Sequence, residues 1–227
     1  MRRISGFIIS MAALLLPVLC NAQDTTRYPI NAMEGIRVGI DASKLLLPVI
    51  YNGERIGFEV TADKFITGNF FATVEAGWLN VNLNKDRSEY LYRYRENGFY
   101  GKLGVDYNLL KSRRPNSNDI VYAGARYGFS AFNHEADNIT VPGYYWSDAS
   151  DLIIPKKSMN AHWLELLFGL KAEVLNNFYV GMTFRFKFRL VQPKADYSTP
   201  YLIPGYGYGN SGFELGLNYY VSYNIHF

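Results

Sequence analysis

The sequence predicts an all-β protein: an eight-stranded antiparallel up-and-down transmembrane β-barrel with long outer loops and short periplasmic turns. Three observations lead there. Eight segments alternate apolar with small or polar residues at period two, which assigns one residue set to each face of a strand. These segments reach about nine residues or more, the length that a strand tilted near 45° needs to cross a bilayer, whereas strands of soluble domains average about 5–6. Among 227 residues there are 19 Tyr, 15 Phe and 20 Gly, and only 19% are charged. Aromatic residues favour strands and glycine favours tight turns.

Composition also excludes. An apolar fraction of 48% is too high for a disordered chain. A single Cys rules out a disulfide framework and any multi-Cys metal site, so no metal and no cofactor is expected. A net charge of +3 is too small to argue for nucleic acid.

Residues 1–22 read as a secretory signal peptide: Arg2 and Arg3 lead an apolar run from Phe7 to Leu16, and Cys20-Asn21-Ala22 offers a small-x-small cleavage site. Cleavage near Ala22 removes the only Cys. The alternative, Cys20 as a lipid-attachment residue, meets Leu19 where a small residue is normal. Residues 23–34 then form an N-terminal periplasmic segment, and 35–227 the barrel. No later stretch is long and apolar enough for a membrane helix, which a β-barrel does not need.

The strands follow in order. Ile36, Val38, Ile40 and Ala42 alternate with Arg37, Gly39, Asp41 and Ser43; Ile56, Phe58, Val60 and Ala62 alternate with Gly57, Glu59, Thr61 and Asp63. Ala72 to Trp78, Phe99 to Leu109, Val121 to Ala131 and Leu164 to Val174 repeat the pattern. Phe178 to Leu190 sets six apolar residues and Leu190 against Tyr179, Gly181, Thr183, Arg185, Lys187 and Arg189. Phe213 to Phe227 alternates without a break. Short turns are expected at Thr67-Gly68-Asn69, Lys111–Asn118 and Asn176-Asn177. Long connections are expected at Leu46–Glu54, Asn84–Asn97, Asn133–Ala161 and Gln192–Ser211.

The apolar set must face lipid. A midplane Arg or Lys on the lipid side would cost about 2–4 kcal/mol, and swapping the faces would expose Arg185, Lys187 and Arg189 together. The interior then holds Arg37, Asp41, Glu59, Asp63, Glu75, Lys102, Asp106, Arg126, Glu165, Lys171, Glu173, Arg185, Lys187, Arg189 and Glu214. An eight-stranded barrel is narrow enough for side chains to fill. Unpartnered buried charge is costly, so these groups are expected to pair across the lumen and plug it. Glycines 39, 57, 77, 104, 124, 169, 181 and 216 on the same face are expected to make room for long Arg, Lys and Glu side chains.

The last strand carries Tyr219, Val221, Tyr223, Ile225 and Phe227 on one face, a pattern that looks like the C-terminal signal read by the barrel-assembly machinery of bacterial outer membranes. Several stretches also carry a family likeness: Gly35 to Asp41, Gly104 to Asn108, Ala125 to Phe129, Trp163-Leu164-Glu165 and Ile203 to Gly207. On these the chain resembles an uncharacterised outer-membrane β-barrel family, a domain-of-unknown-function group of Gram-negative gut bacteria. The resemblance implies compartment and fold, and no activity.

Chemistry is sparse. His134, His162, Ser147 and Asp148 could be gathered into a lipid-modifying site near the outer rim, since a base must reach its nucleophile within hydrogen-bond distance. No spacing supports that, and no nucleophile or metal motif accompanies it. Tyrosines 90, 92, 94, 144, 145, 197, 201, 206 and 208 with Trp146 crowd the outer connections. They suit a headgroup girdle, or contact with a glycan or protein. Lys85, Arg87, Arg93, Arg95, Lys156, Lys157 and Lys194 suit anionic headgroups, lipopolysaccharide included. The expected function is therefore an outer-membrane barrel with a charge-plugged interior and a structural or surface-interaction role. The alternative is a soluble lipocalin-like barrel with an apolar lumen.

Overall fold

The computed structural model describes residues 35–87, 90–110, 119–141, 150–191 and 199–226. The chain runs β1 (Ile36–Asp41), two single-turn helices α1 (Ala42–Leu45) and α2 (Leu47–Ile50), then β2 (Arg55–Thr67), β3 (Phe70–Arg87) and β4 (Tyr90–Asn108). It continues through β5 (Ile120–Val141), β6 (Ser150–Leu175), β7 (Phe178–Val191), a small hairpin β8 (Leu202–Ile203) and β9 (Gly207–Tyr208), and ends on β10 (Phe213–Ile225). Eight strands close in the ring β1-β10-β7-β6-β5-β4-β3-β2, with antiparallel neighbours throughout. Closure is made by the two ends of the chain, Ile36 facing Ile225 and Ile40 facing Val221.

At one end the described turns are tight. Gly68 (φ 60°) and Asn177 (φ 64°) adopt the left-handed backbone that a two-residue hairpin needs. The expected Lys111–Asn118 turn lies outside the described residues, as do residues 1–34, Ser147, Asp148 and Phe227.

The opposite end differs from expectation. The connections expected over Asn84–Asn97 and Asn133–Ala161 are mostly sheet: β3 pairs with β4 up to Arg87 and Tyr90, and β5 and β6 extend to Val141 and from Ser150. Ala42 and Ser43, expected to prolong β1, sit in α1. The Asp41 carboxylate accepts from the Ser43 backbone N–H and hydroxyl, which turns the chain into a helical cap.

Polarity explains the two zones of wall. Between the tight turns and a ring of amides, outward residues are apolar and exposed: Val74, Phe99, Leu103, Val105, Leu166, Phe168, Phe184, Phe186, Leu215 and Leu217. The ring runs Asn80, Asn97, Asn133, Ser158 across four registered strands. Beyond it the alternation inverts. Arg93, Arg95 and Glu135 face out, while Val81, Leu83, Tyr94 and Ala136 are buried inside.

Candidate functional site

The lumen is solid with side chains. Inward positions of β2–β7 bring Glu59, Glu75, Lys102, Asp106, Arg126, Glu165 and Arg185 together, each almost fully buried. Glu75 is the hub. It accepts from Arg185 at 2.7 Å, Lys102 at 2.9 Å and Arg126 at 3.4 Å. Each cation also holds a second acid: Arg185 with Glu165 (2.6 Å), Lys102 with Glu59 (2.9 Å), Arg126 with Asp106 (2.7 Å). The β7–β3 bridge from Arg185 to Glu75 joins strands four places apart in the eight-membered ring, so it spans the full lumen.

Neutral groups take up most of what remains, with Arg185 Nε and Asp106 Oδ1 left without a hydrogen-bond partner among the described residues. Tyr100 and Tyr220 hydroxyls donate to Glu59 at 2.7 and 2.8 Å, the Trp163 indole N–H to Glu165 at 2.7 Å, and the Thr73 hydroxyl to Asp106 at 3.0 Å. A buried charge lattice depends on such bonds, because desolvation of each ion is offset only as its hydrogen bonds are made. Nearer the tight turns, Asp63 joins Arg37 (3.0 Å) and Lys171 (2.7 Å), the latter again across the ring from β6 to β2. Arg37 also lies 4.6 Å from the Tyr179 ring centre.

Five of the expected network members have other partners. Asp41 caps α1 and accepts from the Asn218 amide. Glu173 accepts from the Asn177 backbone N–H of the tight turn. Lys187 donates to the carbonyls of Gly205 (2.8 Å) and Tyr206 (2.9 Å), and Arg189 to that of Gly209. Glu214 makes no ion pair among the described residues; its side chain lies against Gly207. For Lys187 and Arg189 the reason is the β8–β9 segment, which folds into the barrel mouth and presents carbonyls where carboxylates were expected.

That hairpin is a second layer of filling. Ile203 and Tyr206 are buried against Tyr100, Phe132, Met159, Ala161 and Trp163. Leu202 packs with Val81, Leu83, Tyr94 and Ala136 on the inner face of the wall extension. Glu96 anchors it: its carboxyl accepts from the Tyr94 hydroxyl and the Leu202 N–H, while the Tyr94 oxygen accepts from the Tyr201 N–H. Burial pushes the Glu96 carboxyl up to about 8, against the opposing pull of these hydrogen bonds and of Arg55. Sequence reasoning passed over Glu96, which fell in an expected loop. The signal that could have placed it is the inverted alternation Tyr94-Glu96-Gly98-Tyr100.

The glycines make room for rings as well as for long charged chains. A Cβ at Gly77 would meet the Tyr100 ring, at Gly128 the Trp163 indole, and at Gly169 the Tyr122 ring. Gly104, Gly181 and Gly216 do lie against Arg126, Lys171 and Lys187. Tyrosine is therefore divided: Tyr100, Tyr122, Tyr179, Tyr206 and Tyr220 are buried inside, not in an outer band.

His134 and His162 sit on opposite faces of the wall and share no site. His134 is buried inward, where burial and Lys157 hold it below its usual value. His162 faces outward, 2.6 Å from the Tyr127 hydroxyl. Tyr219, Val221, Tyr223 and Ile225 lie on the outward face of β10, three of them opposite β1.

Residues 4–227 match the model of a family described as a domain of unknown function (DUF6048). No curated protein matches the chain. Among solved structures, the chain is similar to a major outer membrane protein of Thermus thermophilus (14% identity, 84% of this chain and 98% of that one, TM-score 0.48). It is also similar to CarO2 of Acinetobacter baumannii (10%, 84% and 97%, 0.45) and to Ail, the attachment invasion locus protein of Yersinia pestis (9%, 85% and 99%, 0.40).

Proposed function

The chain belongs to the DUF6048 family, and we propose that it is an integral outer-membrane β-barrel, closed by its own interior, whose outer end serves as an interaction surface. One observation carries the reading: the barrel is inside-out. Glu59, Glu75, Lys102, Arg185 and Glu165 are buried in the lumen, while Phe99, Leu103, Leu166, Phe168, Leu215 and their neighbours are exposed around the outside. In water this arrangement wastes the apolar area; in a bilayer it turns that area to lipid and keeps charge away from it. The lipocalin-like alternative requires the reverse polarity, which these placements do not support.

Supporting features are the leader-like residues 1–22, with cleavage near Ala22, and the alternating end Tyr219, Val221, Tyr223, Ile225, Phe227 for the barrel-assembly machinery. Lipid and lipopolysaccharide headgroups would meet the amide ring and the basic residues beyond it. The mouth tyrosines Tyr201 and Tyr208 are the exposed surface for a glycan or protein. The test is membrane fractionation. The expected result is resistance to carbonate extraction with heat-modifiable migration; release as a detergent-free soluble protein overturns the proposal. Deletion of Phe227 should lower the yield of the folded form.

A further inference from the structure

The wall is not continuous. β1 has only six residues, and it pairs with β2 from Val60 to Lys64 and with β10 from Tyr220 to Ile225. Beyond its end, Arg55–Glu59 of β2 and Phe213–Tyr219 of β10 each have a neighbour on one side only. The seam lies in the outer half of the apolar band, flanked by Phe58 on one edge and Leu215 and Leu217 on the other, all exposed. Open strand edges are not stable in hydrocarbon unless protein covers them.

Residues 42–54 are that cover, and they are not a strand. Pro48 has no N–H to give a ladder, and Asp41 has already turned the chain into α1. Among the described residues, no backbone hydrogen bond joins 42–53 to either edge; the first is from the Asn82 N–H to the Glu54 carbonyl. The cover rests on side chains, such as Leu47 against Gly57 and the Tyr51 ring against the Arg55 guanidinium, and leaves Leu45, Leu46, Val49 and Ile50 exposed. It adds apolar surface at the seam without being knitted into either edge by backbone hydrogen bonds.

Beside the seam, at the mouth, lies an open cleft of about 660 Å³, and the Arg55 guanidinium on the β2 edge donates to the Tyr201 hydroxyl of its lining at 3.2 Å. Ile154, Pro200, Tyr94, Tyr201 and Tyr208 give it apolar and aromatic wall, and Thr199, Asn210, Ser211 and Glu214, the last on the unpaired stretch of β10, give it polar wall. That size and mix of wall suit an amphipathic ligand rather than an ion.

We propose that the β10–β2 seam is a lateral port through which a lipid of the surrounding outer leaflet passes an acyl chain to the mouth cavity, with residues 42–54 as the movable wall. The proposal rests on the membrane reading above. It differs from a channel in that the route never crosses the ionic lattice, and the far side of the barrel stays shut.

The test uses the full chain in bilayer nanodiscs doped with a phosphatidylcholine whose palmitoyl chain ends in a diazirine. After irradiation, adducts are mapped by mass spectrometry. The expected result is label at Glu214, Tyr201 or Tyr208, and label at Val49 and Leu215 in excess of Leu103 and Leu166 on the far wall. Even label around the band with a clean cavity overturns the port. So does cavity label obtained with a water-soluble diazirine octanoate but not with the bilayer-held lipid, because the cavity then fills from solution. Failure of the chain to enter nanodiscs, with no label on the band, would instead refute the membrane reading.

Discussion

Glu75 shows how much one carboxylate can hold when three cations converge on it. Removing it strips Arg185, Lys102 and Arg126 of a shared partner, although each keeps one other acid. Breaking a buried ionic contact costs about 3–5 kcal/mol, because the orphaned charge stays desolvated. Glu75→Ala should therefore lower the unfolding free energy read from urea titration of the heat-modifiable form by that order, whereas exposed Lys64→Ala should leave it within about 0.5 kcal/mol. Glu96 makes a second residue-scale prediction, and its sign can be worked out. Its folded value of about 8 exceeds the ordinary 4.5, so the folded protein holds an extra proton between them. The stability this proton confers is full below the unfolded value, falls as pH rises, and is gone above about 8. Amide exchange at Leu202, corrected for its intrinsic pH dependence, should accelerate between about pH 5 and about pH 9. In Glu96→Gln, which keeps a neutral group, it should stay flat; a wild-type profile as flat as the variant's would remove Glu96 as the anchor.

At the scale of the strand, the alternation made much of the fold legible. Parity along Phe178–Leu190 alone decides that Arg185 and Lys187 face inward, and the structure has both buried there. What alternation could not show is where each strand ends. Past Asn80, Asn97 and Asn133 the apolar residues move from the outer to the inner face, so a reader following one phase loses the strand at the point where its surroundings change. The four-strand extension and the Glu96 anchor were hidden for that reason. The hairpin β8–β9 was hidden for another: two-residue strands have no period to detect. Glycine spacing predicts room for long charged chains, which Gly104, Gly181 and Gly216 give, but rings fill the space at Gly77 and Gly169 because the occupant is set by the neighbouring strand. This gives a paired prediction. Gly128→Ala drives a Cβ into the Trp163 ring and should cost about 1–3 kcal/mol. Gly101→Ala, whose added carbon has only the Glu75 carbonyl at 3.9 Å, should be near neutral or gain a little from lower unfolded-state freedom. Equal destabilisation by both would show that rings over glycine are not what sets the strand spacing.

Across the whole molecule, closure has two layers with different physics. The mouth is stopped by apolar and aromatic packing around Ile203 and Tyr206, pinned by Lys187 and Arg189 to hairpin carbonyls. Beneath it, the bridge from Arg185 to Glu75 and its neighbours fills the cross-section with paired charge. Either layer alone blocks hydrated ions, since the lumen of an eight-stranded barrel is only wide enough for its own side chains. Replacing Leu202–Tyr208 with a short Gly-Ser link should therefore leave a planar bilayer without stable channels, as in wild type. Arg185→Ala alone should also stay closed, because the hairpin still caps the mouth. The double variant should be the first to conduct, and its openings should favour cations, with Glu59, Glu75 and Glu165 left in the lumen short of one positive partner. Stable openings in the hairpin replacement alone would show that the ionic lattice is not a seal, and the residues that pair across the lumen would then be lining a path.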